Sequence, residues 1–277
     1  MAELPDGDFL YHYTTRGRAF EQIMPTARLR FSPYRAMRDP LENKAWRPQP
    51  AAYWSSTAQG QPGDPGHPET NYWQFNAWAA EIWSQAHLLA FTTDADDYSI
   101  GNEVFGRGWA RARMWEQYGE GHAGVCLVFD QNRLIANVAE SLEQQDLPLP
   151  YHRRVEYTES GKQPLMLTGD MLNEEVNQER VAAFIEASHD SLFFLKALDW
   201  RSEYEYRFVV TAPPGGEGVF VEFGDALVAL VAGEKFPDWQ VAGALELASR
   251  HESKALQLHW DDRPYLIQLQ QDSARPW

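Results

Sequence analysis

Cysteine is nearly missing from this chain: Cys126 stands alone among 277 residues. A single thiol forms no internal bridge and no Cys-rich zinc site, so a disulfide scaffold is excluded and a reducing, cytoplasmic setting is expected. No apolar run reaches the roughly 20 residues of a membrane-spanning helix. The opening MAELPDGDFL also lacks a basic stretch followed by an apolar one, so neither secretion nor membrane insertion is expected. Positive charge is scarce as well. Lys and Arg total 24 against 40 Asp and Glu, a formal charge of −16, which disfavours indiscriminate binding to phosphate backbones.

Familiar chemical signatures are absent too. The sequence holds no GxGxxG turn, no phosphate loop ending in GK[ST], no HExxH and no GxSxG elbow, which removes the usual support for dinucleotide-fold, NTP-binding, zinc-protease and serine-hydrolase readings. None of the eight His residues stands four from another, so no helical metal site is expected. No fixed-period repeat supports a solenoid.

What is present is apolar surface in quantity. With 44% hydrophobic residues, and 11 Trp, 12 Tyr and 14 Phe, the chain can bury a core and is not disordered. No low-complexity linker divides it, so one domain spanning 1–277 is expected. Periodicity predicts strands at 9–13 and 28–32 around a short helix ended by Pro25, a flexible loop over 55–70 rich in Pro and Gly, and a helix over 71–86 followed by the strand HLLAFTT. A helix from Asn102 to near Gly119, a strand at 124–130, a strand at RRVEYT and a helix over 171–196 come next. The last third reads as strands EYEYRFVVT, GVFVEF, ALVALVAGE, ALQLHW and YLIQL, with one helix near 239–250. Mixed connections of this kind point to an α+β fold with a β-sheet flanked by helices.

Three clusters could carry chemistry. Tyr11-His12-Tyr13-Thr14 ends the first strand, where imidazole and hydroxyls can hold a polyol such as ribose. Alternatively, His12 satisfies a buried carbonyl. Trp115 and Tyr118 lie three apart and could share a helical face, either sandwiching a planar ring or packing into the core. In WRSEYEYRF, strand alternation puts Glu203, Glu205 and Arg207 on one face and Tyr204, Tyr206 and Phe208 on the other. The charged face would meet ligand or solvent, and a carboxylate held by Arg207 would stay ionised and could stabilise a developing cation.

The blocks LYHYTT, AFEQIM, LRFS, RDPLE, MWEQYGEGHAGVCLVF and WRSEYEYRF together resemble a widespread bacterial family of uncharacterised domains. That family in turn resembles the ADP-ribosyltransferase superfamily. The resemblance implies a split β-sheet with NAD in its cleft, cleavage of the nicotinamide–ribose bond and transfer of ADP-ribose to an acceptor: protein, nucleic acid or small molecule. It implies His12 as the ribose-positioning residue and Glu205, with Glu203 beside it, as the catalytic carboxylates. NAD contacts are implied for Tyr13, Thr14, Arg30, Ser32, Trp115, Tyr118 and Arg207, with no metal. The nicotinamide position stays open among Phe31-Ser32, Phe91-Thr92-Thr93 and Tyr118. Family context implies a toxin or antiphage effector, with an antitoxin or other protein as partner. The competing expectation is a non-catalytic interaction module of the same fold, since seven of the eleven Trp fall between Trp46 and Trp115 and could form an exposed patch.

Charge is unevenly placed. Residues 1–50 hold eight Lys and Arg against six Asp and Glu, and the rest hold 16 against 34. Arg16, Arg18, Arg28, Arg30, Arg35 and Arg38 are therefore expected around His12, where they could receive a pyrophosphate.

Overall fold

The computed structural model describes residues 2–51, 61–95, 100–161, 164–212 and 218–270. Its strands are β1 (Phe9–Thr14), β2 (Arg28–Pro33), β3 (Gln49–Pro50), β4 (Ala86–Thr92), β5 (Val125–Asp130), β6 (Tyr151–Arg154) and β7 (Glu156–Thr158). They continue as β8 (Met166–Leu167), β9 (Leu195–Ala197), β10 (Glu205–Thr211), β11 (Val219–Glu222), β12 (Leu227–Ala232), β13 (Lys254–Trp260) and β14 (Pro264–Gln268). The helices are α1 (Arg16–Arg18), α2 (Met24–Thr26), α3 (Pro68–Gln85), α4 (Glu103–Gly106), α5 (Ala112–Gln117) and α6 (Gln131–Glu143). Beyond them lie α7 (Gly169–Asn173), α8 (Gln178–Ala187), α9 (His189–Phe193) and α10 (Val241–Arg250). No described helix is long and apolar enough to cross a membrane.

One large mixed sheet organises these elements, in the order β11-β2-β4-β1-β5-β12-β13-β14, with β10 joining β4 to β6. The fold class is α+β, as the mixed connections indicate. Among the described residues only β12 and β13 run parallel within this sheet, joined through α10 as a parallel pair requires. Strand β4 is the branch point. One edge pairs with β10 along its whole length, from Glu205↔Thr92 to Thr211↔Ala86. The other edge is shared: β2 takes His87 and Leu88, and β1 takes Thr92. The sheet therefore divides between Leu88 and Thr92.

Register places the apolar cores. On one face, Leu10, Phe31, Leu89, Phe91, Phe129 and Phe208 pack beneath α6 and α10. On the opposite face the apolar contacts separate into two clusters. One joins Leu88 and Val209 to α3, α8 and α9 through Phe75, Ile185 and Phe193. The other joins Tyr11, Tyr13, Cys126 and Val128 to Trp109, Met114 and Trp115. A polar seam around β10 lies between the two.

Several elements depart from the sequence expectation. The α3 helix begins at Pro68 with His67 as its N-cap, so residues 68–70 are helix rather than loop, and residues 55–60 lie outside the described residues. The helix expected from Asn102 to Gly119 breaks into α4, a 3-10 turn at Gly108–Ala110 and α5. The break coincides with close packing: a Cβ on Gly108 would come within 2.1 Å of the Tyr11 ring, and the Tyr13 hydroxyl donates to the Gly108 carbonyl. The long helix expected over 171–196 is α7, α8, α9 and the short strand β9. Helix α6 was not foreseen, although Asp130 caps it by accepting from the Arg133 amide at 2.9 Å and Leu134, Val138 and Leu142 form a four-spaced buried stripe.

Candidate functional site

Alternation along β10 sends Tyr206, Phe208 and Val210 into the larger core and Glu205, Arg207 and Val209 to the other face. The expected division of charge and aromatic rings is therefore present from Glu205 to Phe208, while Glu203 and Tyr204, expected in the same strand, lie before it in a 3-10 turn and a left-handed residue. The charged face is nonetheless buried: Glu205 is 7% exposed and Arg207 0%. A charge removed from water needs partners, and two remote segments supply them. Glu42, in the loop after β2, is bound by Arg207 through both carboxylate oxygens, at 2.6 and 3.2 Å. Lys196, in β9, donates to Glu203 Oε2 at 2.7 Å and to Glu205 Oε2 at 3.0 Å. Arg207 also clasps Glu205 at 2.7 and 2.9 Å and donates to the Phe193 carbonyl at 2.5 Å.

Glu203 arrives by a different route. The 3-10 turn Leu198–Glu203 precedes the strand, and Tyr204 adopts a left-handed backbone with φ 44° before β10 begins. The turn returns Glu203 to the side of Glu205, where Lys196 bridges the two carboxylates. Arg111 steadies the turn with its guanidinium 3.9 Å from the Tyr204 ring centre. The half-buried Tyr118 donates its hydroxyl to Glu203 Oε1 at 2.9 Å, and the Trp200 ring lies 4.6 Å from Lys196 Nζ.

Within these ion pairs three carboxylates meet two cations, and the guanidiniums of Arg111, Arg38 and Arg113 stand around them against Tyr204, Tyr118 and Ser202. Burial pushes the Glu205 carboxyl toward its neutral form, but the charges and hydrogen bonds of Arg207 and Lys196 prevail and hold it at about 2. Burial likewise opposes the Lys196 ammonium, and the carboxylates overcome it, so its pKa is raised. Burial, followed by the charge of Glu203, raises the Tyr118 phenol. At neutral pH Glu205 is a fixed anion and Lys196 a fixed cation. Neither is poised to exchange a proton.

Next to Glu205, Thr92 is 1% exposed, and its hydroxyl has no hydrogen-bond partner among the described residues. A buried hydroxyl left this way points to water or ligand. A cleft of about 300 Å³ opens at the same end of the sheet, with Phe9, Asp94, Arg107 and Arg154 in its wall.

The structure brings Glu203, Glu205, Arg207 and Tyr118 together. It does not bring His12 to them. Tyr11, Thr92 and Glu205 are aligned across the sheet, so His12, the next residue, faces the other way. Its Nδ1 lies 3.3 Å from the Ala90 carbonyl, within the division between β1 and β2, and its ring packs against Phe91. Burial lowers its pKa, which keeps the imidazole neutral. The alternative of a histidine satisfying a buried carbonyl describes this geometry.

The remaining residues are dispersed. Trp115 is fully buried, donates to the Trp109 carbonyl at 2.8 Å and packs edge-on against Tyr13. Thr14 is buried in β1, Ser32 pairs with Leu88, and the exposed Arg30 lies over Phe220. Of the basic residues of the first fifty, Arg18 is near enough to His12 for its charge to lower the imidazole's pKa, whereas Arg16 pairs with Glu120, Arg28 with Glu222 and Arg38 sits over Tyr118. Cys126 is buried with its thiol pushed up, a poor nucleophile. Of the Trp residues from 46 to 115, Trp46, Trp109 and Trp115 are buried, Trp78 and Trp83 half-buried, and Trp73 alone is exposed among the described residues.

Two members of the network, Glu42 and Lys196, escaped the site expectation. Each left a trace in the sequence. Glu42 ends the RDPLE block, and Lys196 is a single charge inside the apolar run SLFFLKAL, a placement that requires a buried partner.

Fold and site together define an α+β protein whose divided sheet carries a buried network of three carboxylates and two cations at the head of one strand. Residues 114–208 match a family model described as a protein of unknown function (DUF2971). The match runs from α5 to β10 and covers about a third of the chain, including Tyr118, Lys196, Glu203, Glu205 and Arg207. No curated protein and no solved structure matches the chain.

Proposed function

We propose that this protein is an NAD-dependent ADP-ribosyltransferase-like enzyme that cleaves the nicotinamide–ribose bond and passes ADP-ribose to an acceptor, in the manner of a bacterial toxin or antiphage effector. The observation that carries the reading is the carboxylate pair Glu203 and Glu205, bridged by Lys196 and standing beside Thr92 at the end of β4, on the strand edge opposite the one where β1 and β2 separate. NAD supplies a ribosyl C1′ that gains positive charge as nicotinamide leaves with the bonding electrons. A preorganised anion stabilises such a centre without having to reorganise.

The hydrogen bonds divide the work between the two carboxylates. Both oxygens of Glu205 are engaged by Arg207 and Lys196, which suits a positioning residue. Glu203 Oε1 meets only Tyr118 among the described residues, so a ribose hydroxyl can donate there. The geometry thus favours Glu203 over Glu205 for contact with the sugar, the reverse of the sequence preference. Tyr118 and Trp200 are partly exposed; Arg38 covers one face of the first and Lys196 one face of the second, so a planar base would stack on the other. His12, on the opposite face, supports the sheet.

The test is nicotinamide release from NAD by the purified protein. Release is expected from the wild type, reduced about 100- to 1000-fold by Glu203→Gln and largely retained by His12→Ala. No release with any acceptor, together with no NAD binding, would sink the reading. One observation favours a non-catalytic binding module instead: Arg207 spends its donors on Glu42, Glu205 and the Phe193 carbonyl, so it ties the fold together and has none left for a substrate. That alternative predicts ligand or partner binding with no turnover.

A further inference from the structure

We propose that Arg38 and Arg113 form an anion-binding lip beside Glu203, and that the ligand of this site joins a phosphate to a cationic or cation-forming centre. The inference rests on the carboxylate site described above and specifies the chemistry of what it takes.

Arg113 and Gln117 lie four apart on α5, on one flank of the helix. Arg38 reaches this flank from the loop after β2, with Nη1 3.3 Å from the Gln117 carbonyl and its guanidinium 4.8 Å from the Tyr118 ring centre. Arg113 Nη1 lies 3.1 Å from Ser202 Oγ, the residue before Glu203. One arginine is thus anchored through Tyr118 and the other through Ser202, and Glu203 is the residue their anchors share.

Both arginines are exposed, and neither is ion-paired among the described residues. Arg16, Arg28, Arg107 and Arg133 hold carboxylate partners; what sets Arg38 and Arg113 apart from the other arginines without one is that both are anchored beside Glu203, through Tyr118 and Ser202. Gln117 adds a buried side-chain oxygen without a partner among the described residues, and its amide can turn to present a donor. Two guanidiniums with unused donors match phosphate oxygens. Glu203 Oε1, which meets only Tyr118 among the described residues, matches a cation or a cation-forming centre. A phosphate alone can engage the two guanidiniums, and a ligand that also carries a cation or a cation-forming centre gains the carboxylate contact as well.

Calorimetric titration of the full chain with ADP and with inorganic pyrophosphate tests the lip. Saturable binding is expected, weakened about 10- to 100-fold in an Arg38→Gln/Arg113→Gln double variant, reduced by salt and unchanged in Arg28→Gln. Both altered residues are exposed, so the variant should melt like the wild type. Binding of neither probe, or equal binding by the double variant, overturns the lip. Nicotinamide release separates the two proposals. Wild-type release with an unchanged KM in the double variant overturns the lip and leaves the transferase reading standing. Lip-dependent binding of ADP without any release supports the lip and counts against the transferase reading.

Discussion

The two faces of the sheet at β10 solve opposite problems with one strand. Tyr206, Phe208 and Val210 enter a core built by α6, α10 and neighbouring strands, and need only shape and dryness. Glu205 and Arg207, alternating with them, enter an equally dry space and need charges delivered from residues 42, 196 and 203. His12 gives the apolar face its own polar problem and solves it with one backbone carbonyl. Apolar burial therefore tolerates many partners. Ionic burial demands particular ones, and ties the loop after β2, β9 and the turn before β10 to a single point.

The contrast can be broken most forcefully at Arg207. Arg207→Met should cost about 3–5 kcal/mol, because Glu42 and Glu205 would be left buried without their shared cation; a loss below about 1 kcal/mol in urea unfolding would contradict the buried network. On the apolar face, Leu89→Ala should cost about 2–5 kcal/mol through a cavity, with a penalty that stays constant across salt concentration and pH. A strong salt or pH dependence of that penalty would erase the distinction between the faces.

Acid should find the ionic face first. Glu205 ionises at about 2 in the folded protein against an ordinary 4.5, so its stabilisation is fully present above the ordinary value and is lost as pH falls through the folded one. Stability measured from pH 5 down to pH 2 should decline, and Glu205→Gln, destabilised throughout, should show a flatter slope. An unaltered slope would mean that Glu205 is not held ionised. The smallest effect belongs to His12→Asn, about 1 kcal/mol for one hydrogen bond, with ligand binding at the Glu203 face unchanged. Lost binding without lost stability would return His12 to the site.

Much of this was legible in the residues. Strands β1, β2, β4, β5 and β10 to β14 were legible as short apolar runs, continuous where both faces are buried, as in β5 and β12, and alternating where one face is exposed, as in β2 and β11. Helix α6 was missed despite its Asp130 cap and four-spaced Leu, Val and Leu. The interruption at Gly108 was missed because it depends on Tyr11, almost a hundred residues earlier. Within the site, Glu203, Glu205, Arg207 and Tyr118 lie in blocks whose spacing is visible. Glu42 and Lys196 needed the chain to fold, since no local rule pairs residue 42 with residue 207. Trp115 shows the converse: its spacing from Tyr118 fits a ligand sandwich equally well, and only burial assigns it to the core.

The sequence alone determined the α+β character, the single thiol, the excess of acid and the strand that alternates charge with aromatic rings, all consequences of composition and short-range period. Tertiary structure decided that the charged face is buried, that His12 stands across the sheet from Glu205, and that the N-terminal arginines scatter while Arg38 alone joins Tyr118. These depend on strand register and on contacts between distant segments. A shift of one residue in register would exchange the faces, and no local pattern specifies which remote carboxylate will meet a buried arginine.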